Sequence, residues 1–274
     1  MSEIKLVAMD LDNTLLNDDK KISQHTKEVL EEAIKKGVFI VPATGRIYKA
    51  IPDFLREMQG VRYALCCNGA TVFDAKKKVE IYTNHLPMET VFSLYDVLKD
   101  FHCTRDIYQN GQGYMEGKYL WHLEDYKVEG HLFDLVHETR LEVEDLVEYI
   151  KENPLGIEKV SAFFDDMEER LQAIEALKNL GNSSVASALS NNIEVTQIGC
   201  DKGDGLIHLA KHLDIPMSQV MACGDAGNDE AMIQKAGMGI VMENASKEMK
   251  ELADYITKTN NEDGVAYAIE KFVL

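Results

Sequence analysis

The stretch VAMDLDNTLL, from Val7 to Leu16, ends an apolar run on two carboxylates, Asp10 and Asp12. Like charges about 4 Å apart cost roughly 4 kcal/mol at an effective dielectric of about 20, so such a pair calls for a proton or a metal ion. Three other stretches carry matching chemistry: Thr44 and Gly45 in VPATGR, Lys202 and Gly203 in CDKGDGL, and Asp225, Asn228 and Asp229 in ACGDAGNDEAM. Carboxylates, an amide oxygen and one lysine make a hard, oxygen-rich set, the kind that suits Mg2+ keeping waters and a substrate phosphate. If Asp10, Asp12, Asp225 and Asp229 are all ionised, Mg2+ and Lys202 do not neutralise them, and one carboxyl is expected to hold a proton. The two acids can then divide the work. Asp10 attacks phosphorus and carries an aspartyl-phosphate, while protonated Asp12 donates to the departing oxygen and later activates water. The Thr44 hydroxyl, the backbone N–H groups around Gly45, Lys202 and Asn228 suit the non-bridging oxygens, because phosphoryl transfer depends on positioning and charge stabilisation. Leu11, between the acids, joins this phosphate-binding set, and Asp225, with Asp229, joins the metal set.

For these residues to meet, the chain must bring remote segments to one edge. KLVAM, SQHTKEVLEEAIKKG, VFIVPATG, RIYKAIPDFLREMQG and YALCCNG read as strand, helix, strand, helix, strand. Nearly unbroken apolar runs alternating with amphipathic helices indicate a parallel sheet covered on both faces. Ser23 is a suitable cap for the first helix and Gly37 a suitable stop. From about His85 the texture changes to aromatic-rich, hairpin-like stretches such as GYMEGKYLW and separate helices such as VEDLVEYIKEN and EERLQAIEALKNLG. The first rhythm returns from DGLIHLAKHLDI to GVAYAIEKFVL. The expected architecture is therefore α/β: a doubly wound, Rossmann-like parallel-sheet core, residues 1–84 and 198–274, with an inserted α/β cap domain, residues 85–197. Ligands of open parallel sheets sit beyond the carboxyl ends of the strands, where all four stretches fall.

Composition narrows the partners. With 274 residues, 45% of them apolar, the chain can bury a sizeable core. A formal charge of -18 argues against nucleic-acid or anionic-membrane surfaces, which need clustered Lys and Arg. The five cysteines form no paired CxxC knuckles, and reduced, buried thiols are expected. No basic leader precedes a signal-length apolar run, and no run approaches spanning length, so a cytoplasmic protein is expected. An EF-hand beginning at Asp10 would put Leu15 and Lys21 where glycine and an acid are required. His208 and His212 have helical zinc-pair spacing but lack the glutamate of HExxH, and read as ordinary helix-surface or packing histidines. The Tyr and Trp residues from Tyr108 to Tyr126 suit either the inner surface of the cap or its core.

DLDNT, ATG, DKGDGL and GDAGND, in that order, resemble the four motifs of the haloacid dehalogenase superfamily, and most closely its Cof-type sugar phosphatases. CCNGATVFD and YITKTNNEDGVAYAIEKF extend the similarity over both core segments. The resemblance implies a large cap between the second and third motifs and a Mg2+-dependent phosphatase acting on small phosphorylated metabolites. It further implies Asp10 as nucleophile and metal ligand, and Asp12 as acid/base with its carbonyl on the metal. Thr44, Lys202 and Asn228 would lie at phosphate, Asp225 on the metal and Asp229 beside it. Asn13 stands where the common pattern has glycine; asparagine tolerates positive φ, so the turn should survive. The alternatives are a phosphotransferase or mutase on the same fold, and a non-catalytic phosphometabolite-binding protein.

Overall fold

The computed structural model describes residues 3–187 and 189–274. They divide into two compact units. The first runs to Gly45 and adds Ile51–Tyr82 and Asp201–Leu274; the second comprises Arg46–Ala50 and Thr83–Cys200.

In the first unit five strands form a wholly parallel sheet in the order Tyr255–Ile256, Met238–Val241, Val220–Gly224, Leu6–Met9 and Phe39–Pro42. Leu6–Met9 and Val220–Gly224 are buried along their whole length, which is why they read as unbroken apolar runs. The Gln24–Lys35 helix starts at Ser23, whose Oγ accepts from the Thr26 N–H at 2.9 Å, and the chain leaves it through Gly37 at φ 86°.

Two expectations are corrected. Tyr63–Cys66 does not become a full strand of the parallel sheet; it pairs antiparallel with Thr71–Asp74 in a separate three-stranded sheet. A left-handed turn reverses the chain directly after it, and a lone parallel bridge, Ala43 to Leu65, links it to the neighbouring strand. RIYKAIPDFLREMQG is not one helix but a 3-10 turn, Tyr48–Ala50, and a four-residue helix, Asp53–Arg56. Pro52 between them disfavours helical backbone at Ile51 and sits outside the second helix as its cap.

The second unit is built on a six-stranded sheet ordered Ser184–Ala186, Asn192–Thr196, Lys159–Phe163, Asp106–Gln109, Gln112–Glu116 and Arg140–Val143. It is antiparallel except for its last pair. Period-two alternation sends Ile107, Val160, Ile193 and Val195 into a core shared with the Met88–Leu98 and Met167–Leu180 helices. On the opposite face Arg140 Nε donates to Asp106 Oδ2 at 2.8 Å, and Lys159 Nζ lies 2.6 Å from Glu194 Oε1, so these buried charges are paired. Tyr108, Tyr119 and Tyr126 are buried here, whereas Trp121 is exposed. All five cysteines are free and buried. Among the described residues no helix is long and apolar enough to cross a membrane.

Candidate active site

Strand register explains how residues more than two hundred positions apart become neighbours. Met9 pairs with Cys223, so the chain leaves both strands side by side, towards Asp10 on one and Asp225 on the other. The Asp10 N–H donates to the Cys223 carbonyl at 3.0 Å. The loop after it closes on itself: Leu15 N–H donates to the Asp10 carbonyl at 3.2 Å and Leu16 N–H to that of Leu11 at 2.8 Å. Asn13 takes φ 61°, the left-handed conformation that asparagine tolerates, and the turn forms without glycine.

This loop supplies three groups with different surroundings. Asp10 is 7% exposed, whereas Asp12 is half-buried with Lys20 Nζ 3.0 Å from its Oδ1. Thr14 Oγ1 donates to Asp225 Oδ1 at 2.7 Å, tying the loop to the neighbouring strand end. The apolar side chain of Leu11 is fully buried, so only its backbone is available to a ligand.

Asp10, Asp225 and Asp229 each offer a carboxylate oxygen, all within 4.8 Å of one another. Into this cluster comes Lys202, fully buried, with Nζ 2.5 Å from Asp10 Oδ1 and 2.6 Å from Asp229 Oδ1. It stands at the start of the Lys202–His212 helix, which Asp201 caps by accepting from the Asp204 N–H at 2.7 Å. Asp204 itself is directed elsewhere: its Oδ2 accepts from Tyr82 at 2.6 Å, and His208, stacked on that ring, lies 3.5 Å from its Oδ1. His212 meets the edge of Tyr63.

Asp229 has most of its acceptor capacity committed. Beyond Lys202, its Oδ2 accepts from the backbone N–H groups of Asp225 and Ala226 at 3.0 and 3.1 Å, so it shapes the turn that presents Asp225. Thr44 is buried and held by its backbone, donating to the Leu65 carbonyl at 2.9 Å and accepting from Asn68 N–H at 3.0 Å; Gly45 follows it. Asn228 Nδ2 donates to Asn68 Oδ1 at 3.2 Å. The three-carboxylate cluster does not include Asp12. Sequence reasoning gave no part to Thr14, Lys20 or Asn68; DLDNT and CCNGATVFD held Thr14 and Asn68 in plain view, but a hydroxyl or amide in a loop has no signal of its own.

Burial raises the Asp10 carboxyl well above the ordinary range; Lys202 opposes that rise, and Asp229, Asp12 and Asp225 add to it. Asp225 is pushed up to about 6, chiefly by burial, against the lowering effect of the Thr14 hydrogen bond. For Lys202 burial works against the charge, but Asp10 and Asp229 outweigh it and hold the ammonium firmly protonated. One ammonium among three gathered carboxylates leaves negative charge unrelieved. Such a set of hard oxygens fits a divalent cation.

A model of haloacid dehalogenase-like hydrolases matches residues 7–269. The 5-amino-6-(5-phospho-D-ribitylamino)uracil phosphatase YcsE of Bacillus subtilis is 30% identical over 276 residues, covering 99% of this chain and 97% of its own. A putative phosphatase of Streptococcus pyogenes is 32% identical, covering 99% of each. Among solved structures, a haloacid dehalogenase-like hydrolase from Bacteroides thetaiotaomicron superposes with a TM-score of 0.82 at 30% identity, over 98% of this chain and 99% of that one. Another from B. subtilis gives 0.85 at 25% identity, over 99% and 100%. With its parallel-sheet core, its separate α/β cap and a match along nearly its whole length, the chain belongs to the haloacid dehalogenase-like hydrolases and is a phosphatase of their Cof type.

Proposed function

We propose that this phosphatase hydrolyses small phosphate monoesters, sugar phosphates foremost, through an aspartyl-phosphate on Asp10 and with Mg2+. The observation that carries the reading is the buried Lys202 bridge between Asp10 and Asp229, inside a carboxylate cluster drawn from remote segments. Asp10 and Asp225, with the Asp12 carbonyl and Asp229 beside them, would hold Mg2+, which when bound supplies positive charge against the phosphate oxygens.

The chain's own groups then have distinct tasks. An Asp10 carboxylate oxygen attacks phosphorus as the ester P–O bond breaks, and Asp12 gives the leaving alcohol its proton. Water next attacks the aspartyl-phosphate phosphorus, Asp12 takes back a proton, and inorganic phosphate leaves with Asp10 restored. Its half-exposed position suits Asp12 to this exchange, since it must pass protons to alcohol and from water. Lys202 holds Asp10 in place, and with the Thr44 hydroxyl, the Leu11 and Gly45 backbone and Asn228 it would receive the non-bridging oxygens. The division into core, residues 1–84 and 198–274, and cap, residues 85–197, belongs to this proposal, as does a cytoplasmic location.

The name of YcsE specifies a phosphate ester on a ribityl chain, which puts phosphorylated polyols beside sugars in the substrate class to test. The decisive experiment is a Mg2+-supplemented screen of phosphorylated sugars, sugar alcohols, FMN, pyridoxal phosphate and nucleotides, run on wild type and Asp10→Asn. Phosphate release with one sugar or polyol class preferred in kcat/KM, and none from the variant, is the expected result. Unchanged turnover by Asp10→Asn overturns the nucleophile, hydrolysis indifferent to EDTA overturns the metal, and transfer to an added sugar in place of phosphate release makes the protein a phosphotransferase.

A further inference from the structure

The turn Cys67–Gly69 has been given no part in the chemistry, although its backbone is unusual. Cys67, Asn68 and Gly69 take φ values of 51°, 57° and 92° in succession. Left-handed backbone is unfavourable for a residue with a Cβ, and two such residues in a row persist only where surrounding contacts hold them.

Those contacts run to three separate parts of the site. Asn68 N–H donates to the Thr44 carbonyl at 3.0 Å, fixing the end of the second strand. Asn68 Oδ1 accepts from Asn228 Nδ2 at 3.2 Å, across 160 positions of sequence. A Cβ on Gly69 would collide with the Asp201 carbonyl, so the turn lies directly on the start of the helix that carries Lys202. Asn68 is buried, and its side chain meets Asn228 from inside the protein.

We propose that Asn68 is a positioning residue for phosphoryl transfer, fixing the Asn228 carboxamide so that its NH2 group, and not its oxygen, serves the substrate phosphate. The proposal rests on the phosphate role given to Asn228 above. A carboxamide has a donor end and an acceptor end of nearly the same shape, and the wrong end facing a phosphate oxygen would be repelled. By accepting one Nδ2 hydrogen, Asn68 Oδ1 selects one of the two orientations and leaves Nδ2 a second hydrogen to donate. Asparagine suits the position because it offers an acceptor at that reach and tolerates the left-handed backbone.

Asn68→Gly keeps the turn's conformational freedom and removes only the carboxamide. We would compare wild type, Asn68→Gly, Asn228→Ala and the double variant, with Mg2+ present, measuring kcat/KM on p-nitrophenyl phosphate and the inhibition constant of inorganic phosphate. Each single variant should weaken inorganic phosphate about fivefold, the worth of a hydrogen bond, and the double variant should be no worse than Asn228→Ala. A purely structural role would reduce the active fraction, and hence apparent kcat, while leaving that inhibition constant unmoved; this result overturns the proposal. An Asn68→Gly loss that persists in full on the Asn228→Ala background also overturns it, with the role of Asn228 intact. An Asn228→Ala variant indistinguishable from wild type removes the phosphate role of Asn228 and the proposal with it. Should Asn68→Gly not fold, Asn68→Ser, too short to reach Asn228, is read through the same cycle.

Discussion

Lys202 Nζ lies 2.5 Å from a carboxylate oxygen of Asp10 and is wholly buried, so the positive charge nearest the proposed nucleophile is a permanent part of the fold. Its second contact, 2.6 Å to Asp229, sets the carboxylate that in turn braces Asp225.

Removing that ammonium should cost both stability and activity. Lys202→Met leaves Asp10 and Asp229 facing each other without countercharge, and breaking a buried pair from one side costs about 3–5 kcal/mol. Urea unfolding in EDTA should register a loss of that order, and kcat/KM with Mg2+ should fall at least about a hundredfold. Lys202→Arg should not restore activity, because a planar guanidinium does not fit a cavity shaped around an ammonium.

The site should also be visible in the pH dependence of metal-free stability. Asp225 titrates at about 6 in the folded chain, above the ordinary carboxylate value, so between about pH 4 and 6 the folded state binds more protons than the unfolded one. Stability from this group therefore falls as pH rises through that window, and Asp10 acts in the same direction. Denaturant midpoints in EDTA should decline less steeply with pH in Asp225→Asn than in wild type. A slope identical in both proteins contradicts the assignment.

The opposite sign belongs to Asp74. Arg62 grips both of its oxygens, at 3.0 and 2.6 Å, and the Lys76 and Lys77 N–H groups donate to it at 3.1 Å. The Arg62 hydrogen bonds foremost lower this carboxyl to about 2. Its stabilisation is complete above about pH 4 and is lost as pH falls through 2. Asp74→Asn should destabilise by about 1–3 kcal/mol at neutral pH and by much less near pH 2, as measured by thermal melting across that range.

Gly224 offers a steric test of the brace. A Cβ there would run into Cβ and Cγ of Asp229, so Gly224→Ala must displace the carboxylate that holds Lys202 and the turn before Asp225. Activity should fall about tenfold or more although no ionisable group is altered. Steady-state kinetics beside a circular dichroism spectrum of unchanged shape would separate this displacement from unfolding.

The sequence made some of this legible and hid the rest for physical reasons. Fully buried strands such as Leu6–Met9 and Val220–Gly224 write their environment as unbroken apolar runs, and Ser23 announces its helix by residue type. Tyr63–Cys66 misled because burial on both faces says nothing of strand direction; the left-handed turn decided that. RIYKAIPDFLREMQG has helical periodicity, but one proline overrules it. Asp10 and Asp225 were conspicuous because carboxylates directly after buried strands need a reason, whereas Lys202, at the start of a helix, stood out only in company with the other stretches. Asn68 and Thr14 were not, since their parts depend on partners 160 and 211 positions away.

The ammonium of Lys202 and the carboxylate of Asp10 are 192 positions apart. On the ribosome, Asp10 would emerge long before its countercharge, and an N-terminal fragment would carry the proposed nucleophile without the ammonium that pairs with it. Under the mechanism proposed above, the site is complete only after Lys202 and Asp225, both in the last third of the sequence, have folded back onto the Asp10 loop.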